Sequence, residues 1–412
     1  MSGLLEKYEP FVGGASVRQL QRLGERLSGL RLVHVNSTRE GGGVAEILNW
    51  MLPLMRDLGI DVNWEVITGP TRFYEITKSI HNGLQGNRAE LTAKDWALLR
   101  EVNSEWAKSN GALLRDADTV IIHDPQPAAL IEFCRSNSSR WIWRAHIDVS
   151  HPYRPVWNQL KSIVEKYDAS VFSLSAFAQL LPHPQYLIAP SIDPLSPKNI
   201  ELTPVEISEI ANQVGLDRQR PIIVQVSRFD RFKDPLGVIK AYRIIRKVIP
   251  VQLVLAGGGA TDDPEGMQVY HEVMDAAHGE DDIHVLLLPS DAHKTINALQ
   301  RLADVVIQKS TKEGFGLTVA EAMWKGKPVI GGDTGGIRLQ VVDFHTGFLV
   351  STPEGVAHRV RFLLDHRRRL ERMGEVAREH VRENFLLTRH LREYLTLILA
   401  LRNPSSDRVL FA

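Results

Sequence analysis

Cysteine is almost absent from the chain: Cys134 is the only one in 412 residues. No internal disulfide and no multi-cysteine metal site can form, and a reducing, cytoplasmic setting fits. Apolar runs of transmembrane length are missing too, and the start Met1-Ser-Gly-Leu-Leu-Glu-Lys-Tyr-Glu9 lacks the basic residues and apolar core of a secretory leader. Net charge is also lacking, Lys plus Arg and Asp plus Glu standing at 49 each. That removes the overall basic field nucleic acid would require, so no nucleic-acid or membrane partner is expected. The local run Arg367-Arg-Arg369 lies in a charge-mixed helical segment and reads as a solvated face.

What is there is ordinary globular composition, 43% hydrophobic and 24% charged, over a length that suits two domains of about 200 residues each. After an amphipathic segment at residues 17–30, Arg31-Leu-Val-His-Val-Asn36 reads as a strand. It runs into Ser37-Thr-Arg-Glu-Gly-Gly-Gly43 and then a helix with Val44, Ile47, Leu48, Met51, Leu52, Met55 and Leu58 at helical spacing. Strand, glycine turn and helix mark the ligand loop of a doubly wound sheet. Glu46 stands where a dinucleotide fingerprint requires Gly or Ala, which argues against a nicotinamide enzyme. A strand at 61–67 leads to a polar stretch, residues 71–86, that suits either recognition of a polar small molecule or a plain surface loop and helix. Further strands are expected at 119–127 and 141–149. In the second, Arg144, His146 and Asp148 share one face at period two, near the strand end where open α/β sheets bind ligands. Taken singly, His123 or His146 also fits a buried histidine satisfied by its neighbours. Asp116-Ala-Asp118 precedes its strand and reads as loop punctuation.

Pro and Ser cluster at residues 189–197, placing a domain boundary between 192 and 193. A second α/β set begins with a strand at 221–227, followed by Arg228 and Lys233, two cations suited to a diphosphate. Strands at 251–256 and 284–288 come next, the first running into Gly257-Gly-Gly259. Then comes the most informative stretch, an apolar run at 303–308, the loop Glu313-Gly-Phe-Gly316 and a short helix expected at 318–325. Thr318 and Glu321 have capping-box spacing, and Gly326 ends the helix. Glycines let main-chain amides approach a ligand and a helix start attracts negative charge, so this is a phosphate-sized anion site. Glu313 and Glu321 flank it, and carboxylates accept hydrogen bonds from hydroxyls. One ligand carrying phosphate and sugar hydroxyls would satisfy both features, whereas the plain alternative makes Glu321 a cap and Glu313 a solvated loop residue. Gly331-Gly-Asp-Thr-Gly-Gly336 is a further place for close backbone approach, and residues 388–401 form an amphipathic helix.

Glu313-x7-Glu321 with its Gly-Phe-Gly-Leu insert resembles the signature of the retaining glycosyltransferases of family 4. The triple-glycine loop, the His146 segment and the Arg228 and Lys233 pair follow in that family's order. The resemblance implies an α/β chain of GT-B fold: two Rossmann-like doubly wound domains facing a central cleft. Residues 1–192 would bind the acceptor, 193–387 the nucleotide sugar, and the helix in 388–412 would cross back to the first domain. It implies Glu313 on the transferred sugar, Glu321 on the ribose, and Arg228 and Lys233 on the leaving diphosphate. Amides of Gly314, Phe315, Gly316, Leu317 and Thr318, with Gly42 and Gly43, would hold the donor, and His146 would orient its sugar. Stretches such as His34-Val-Asn-Ser-Thr, His81-Asn-Gly-Leu-Gln-Gly and His123-Asp-Pro-Gln-Pro are similar to the branch that joins a nucleoside-diphosphate glucose, ADP- or UDP-linked, to free glucose. Its product is α,α-trehalose, and Asn36, Lys78, Asn82 and Asp148 would hold the acceptor. No metal or cofactor is required on this view, Mg²⁺ being at most stimulatory, and a homodimer is compatible with it. A nucleotide-sugar epimerase, a non-catalytic binding module, and a family 4 enzyme making trehalose phosphate, sucrose or a glucan remain alternatives. Two departures from the family pattern stand out: Asp234 follows Lys233 where Gly is common, and Gln308-Lys309-Ser310 replaces a usual Pro-Ser pair.

Overall fold

Short apolar runs rich in Val, Ile and Leu, each separated from the next by a helix, cannot close into hairpins and instead pair side by side in parallel. The structure, a computed structural model, describes residues 3–40, 42–258 and 264–403. Gly41 and Gly259, members of the two triple-glycine runs, lie outside the described residues. The first sheet contains β1 (Arg31–Asn36), β2 (Asp61–Val66), β3 (Thr119–His123), β4 (Arg140–Arg144), β5 (Ala169–Phe172) and β6 (Gln185–Leu187). The second contains β7 (Ile222–Val226), β8 (Gln252–Gly258), β9 (Ile283–Leu288), β10 (Val305–Gln308), β11 (Val329–Gly332) and β12 (Gly347–Val350). Their orders are β2-β1-β3-β4-β5-β6 and β12-β11-β10-β7-β8-β9. Strand order reverses between β1 and β3 and between β7 and β10, so the loops leaving those four strands are where a doubly wound sheet takes its ligands. Asn36 ends β1 and Gly42 and Gly43 follow it, Arg228 and Lys233 follow β7, and Glu313 follows β10.

Two compact units result, Met1–Ser191 with Leu387–Ala412, and Ile192–Leu386. In the first, the helix Leu387–Arg402 packs on the helix Glu9–Leu27. Arg389 pins it by donating to the carbonyls of Ala189 (2.9 Å) and Pro190 (2.8 Å). Trp141, Trp143, Trp157 and Phe172 lie in that unit's core, and Tyr242, Phe348 and the β7 and β8 aliphatics in the core of the other. Among the described residues no helix is long and apolar enough to cross a membrane.

Three expected elements, the strands at 119–127 and 141–149 and the helix at 318–325, end elsewhere than the sequence pattern suggests. β4 stops at Arg144, so His146 and Asp148 sit on the following loop: the His146 amide leaves the sheet and donates to Asp124 Oδ1 at 2.8 Å. Asp124 itself adopts φ 63°, which also ends β3 at His123. The alternation survives the loss of the strand, Ala145, Ile147 and Val149 being buried while His146 and Asp148 are half-buried. The signature helix runs Leu317–Trp324 and is entered through Gly316 at φ 82°, with no side-chain cap. The Thr318 and Glu321 capping box therefore does not form, and Thr318 Oγ1 donates to Gln308 Oε1 at 3.3 Å instead. Residues 71–86 resolve the other way from a loop, most of them forming the helix Thr71–Leu84.

Candidate active site

In the second unit the loops after β7 and β10 bring opposite charges together. Lys233 Nζ donates to Glu313 Oε2 at 2.5 Å, and Ser310 Oγ donates to the same oxygen at 3.1 Å. Glu313 is 8% exposed, and in such surroundings a carboxylate needs both donors. Lys233 closes a short turn whose first residue, Asp230, accepts from the Phe232 amide at 2.7 Å. Arg228 reaches outward from the end of β7, its side chain 62% exposed and 3.5 Å from Asp230 Oδ2. One cation is thus held by an acid and the other extends toward solvent.

The loop Gly314 to Gly316 is anchored by the buried Phe315 ring, which packs against Phe385 at 5.6 Å. What the loop can offer a ligand is therefore main chain, including the amides of Leu317 and Thr318 at the helix start. Gly335 and Gly336, expected to approach a ligand, instead approach this loop: the Gly336 amide donates to Glu313 O at 3.1 Å. A Cβ on Gly335 would stand 1.8 Å from that oxygen.

Glu321 is 1% exposed, and neither carboxylate oxygen has a hydrogen-bond partner among the described residues. Its nearest cation, Lys198 Nζ, is 4.0 Å away. Lys325, one turn later, donates to the Glu321 carbonyl (3.0 Å) and to Asn199 Oδ1 (2.9 Å). Burial pushes the Lys325 ammonium down to about 7, with Glu321 opposing the shift. A buried carboxylate with no donor is costly, and two ligand hydroxyls would supply what it lacks.

In the first unit His146 Nε2 shares a hydrogen bond with His123 Nδ1 at 2.9 Å. Asp148 accepts from the Ser150 amide (3.0 Å) and hydroxyl (2.6 Å). Arg144, which sequence alternation grouped with these two, is fully buried and donates to Ser173 Oγ at 3.3 Å, so it is not presented with them. Burial lowers its guanidinium pKa. Asn36 is 3% exposed; it donates to Thr38 O at 2.7 Å and accepts from Trp64 Nε1 at 2.9 Å, ties that shape the loop after β1. Lys78, exposed, and Asn82, half-buried, lie one turn apart on the helix Thr71–Leu84. Gly42, at φ 81°, precedes the helix Gly43–Asp57, and both glycines are exposed. Asp118 is engaged by Arg31, whose amide donates to it at 3.0 Å, consistent with loop punctuation.

Residues 34–179 match the model of the trehalose synthase N-terminal domain, and residues 206–380 match that of the glycosyl transferases group 1. Trehalose synthase of Pyrococcus horikoshii is 47% identical over 400 residues, which span 96% of this chain and 95% of that protein. The chain belongs to the trehalose synthase family of GT-B glycosyltransferases. Another member of the trehalose synthase family, from Rubrobacter xylanophilus, is 43% identical over 95% of this chain and 96% of its own length. Among solved structures, trehalose-6-phosphate synthase OtsA superposes with a TM-score of 0.72 at 14% identity, covering 92% of this chain and 99% of that one. That likeness is one of fold.

Sequence reasoning missed several neighbours of the candidate residues. Ser310, Lys325 and Asn199 escaped it because nothing local marks their partners. His34 left a faint signal, a single polar residue in the otherwise apolar interior of β1.

Proposed function

We propose that the enzyme transfers glucose from ADP- or UDP-glucose to free glucose, forming α,α-trehalose with retention, and that it also runs in reverse. The state of the cations near the acceptor stretch supports a neutral acceptor. A sugar phosphate would need Arg39, Arg72 and Lys78 to converge on it. Arg72 is already engaged by Asp95 at 2.7 Å and Glu75 at 3.0 Å. Arg39 donates to Trp64 O at 2.5 Å and lies over the Trp64 ring at 5.2 Å.

On this view Arg228 and Lys233, with the amides at the start of the helix Leu317–Trp324, stabilise negative charge growing on the leaving diphosphate. Glu321 accepts from the ribose diol. Glu313, steadied by Lys233 and Ser310, accepts from hydroxyls of the transferred glucose, and His146 orients that sugar. Asn82, Lys78 and Asp148 are the polar groups offered to the acceptor, with Asn36 shaping the adjacent loop. The acceptor attacks from the face the diphosphate leaves, and its proton passes to the departing phosphate oxygen. Protein cations carry the charge, so no metal step is assigned and a chelator should leave most activity.

The decisive experiment offers each nucleoside-diphosphate glucose with glucose or glucose 6-phosphate and identifies the disaccharide directly. Free trehalose from glucose is expected. Trehalose seen only after phosphatase treatment would overturn the acceptor assignment.

A further inference from the structure

Three histidines of the first unit form one hydrogen-bonded row. His34 comes from β1, His123 from the end of β3 and His146 from the loop after β4, and those strands are consecutive neighbours in the sheet. His34 Nδ1 lies 2.9 Å from His123 Nε2, and His123 Nδ1 lies 2.9 Å from His146 Nε2. Both ring pairs are nearly parallel, at 19° and 21°, with centroids 5.2 Å apart, so the rings meet edge to edge along the shared hydrogen bond. Each ring therefore presents Nδ1 to the Nε2 of the next.

Each of these contacts holds one proton, so in a neutral row the tautomers are linked. Either all three rings carry the proton on Nδ1 or all three carry it on Nε2. Burial lowers the pKa of every member, which keeps the row neutral. The inner end then decides. His34 is 0% exposed, and its Nε2 has no hydrogen-bond partner among the described residues. Protonation there would bury an N–H with no acceptor, whereas protonation on Nδ1 leaves only an unused lone pair, and orphaned buried N–H groups are rare. At the outer end His146 is half-buried, so a proton on its Nδ1 is not confined to the core. The His146 main chain is held in place by its amide bond to Asp124.

We propose that His34 and His123 are positioning residues that lock His146 as an Nδ1–H donor. His146 then gives a hydrogen bond to an oxygen of the bound sugar and does not serve as a base. The second half of this inference rests on His146 contacting sugar, as in the proposed function; the tautomer does not.

The test begins with the intact enzyme labelled with ¹⁵N in its histidine rings. Two-bond nitrogen–proton correlation spectra near neutral pH, assigned with single variants at the three positions, report each tautomer. Nδ1–H at all three is expected, and Nε2–H at His146 overturns the proposal. Kinetics supply the second arm. His123→Asn keeps an amide donor near the place of Nδ1, while His123→Phe keeps a ring and removes the bond. The first should hold kcat within a few-fold and the second should lose at least about tenfold, with donor KM little changed in both. Equal losses, or none in either, overturn the positioning role. A fully active His146→Ala would sink the sugar contact of the proposed function, while the spectra would still decide the tautomer.

Discussion

Lys309 and Asp234, the positions at which the sequence reading expected a departure from the family 4 pattern, form an ion pair. Lys309 Nζ donates to Asp234 Oδ2, while Asp234 Oδ1 accepts from the Gly237 amide at 3.1 Å and so caps the helix Pro235–Ile245. Asp234 holds φ 49° and ψ 50°, the left-handed region glycine enters freely, which explains why glycine suits this position. The carboxylate offsets that backbone cost with two bonds, and the loops carrying Lys233 and Glu313 are braced together just beside their own contact.

Removing one partner should therefore be worse than removing both. Lys309 is 5% exposed, so Asp234→Gly alone leaves a buried ammonium unpaired and should cost about 3 kcal/mol. Adding Lys309→Met should recover most of that loss. Urea denaturation of the two single variants and the double variant checks this, and strictly additive losses would show that the pair is not coupled.

Arg228 separates function from stability. With its side chain 62% exposed, Arg228→Ala should change stability by no more than about 0.5 kcal/mol. It should lower kcat/KM by about a hundredfold or more if it stabilises the departing diphosphate. Steady-state kinetics beside a urea curve read both quantities, and a near-normal rate removes Arg228 from the diphosphate site.

Glu321 should show the opposite pattern. Its carboxylate is buried without a donor, so Glu321→Gln should raise the ligand-free melting temperature by an amount worth about 1 kcal/mol. The same change should weaken nucleoside diphosphate binding, measured by titration calorimetry. A variant that melts lower and binds normally would point to a purely structural role.

Buried neutral histidines make the first unit acid-sensitive. Burial lowers His34 to about 3, and pushes His123 and His390 well below their ordinary value of 6.5. Below pH 6.5 the unfolded chain takes up protons that the folded chain refuses. The stability these groups contribute is thus present above about 6.5 and lost as pH falls toward 3. Each contributes a slope of about 1.4 kcal/mol per pH unit. Asp124 acts in the other direction, since burial raises it to about 7 and its contribution is lost as pH rises through that value. His146 is lowered by burial in the same way, so four groups outweigh one, and unfolding free energies should fall between pH 6.5 and 5, less steeply in His34→Gln. A flat profile over that window would contradict the burial of the row.

Much of the architecture was legible in the sequence because it depends on local periodicity. The alternation of short apolar strands with helices, the glycine turn after β1 and the spacing of Glu313 from Glu321 are set by residues close in the chain, where side-chain period and turn chemistry act directly. Tertiary structure decided what local patterns do not encode. Strand order places the loops after β7 and β10 side by side, joining Lys233 to Glu313 across 80 residues. It joins His34 to His123 across 89. The signature helix begins through Gly316 and not at a Thr318 cap, and that choice leaves the Glu321 carboxylate buried without a donor. The physical reason is the same in each case: burial and hydrogen-bond partners come from neighbouring strands, and parallel pairing brings together segments that the chain itself keeps far apart.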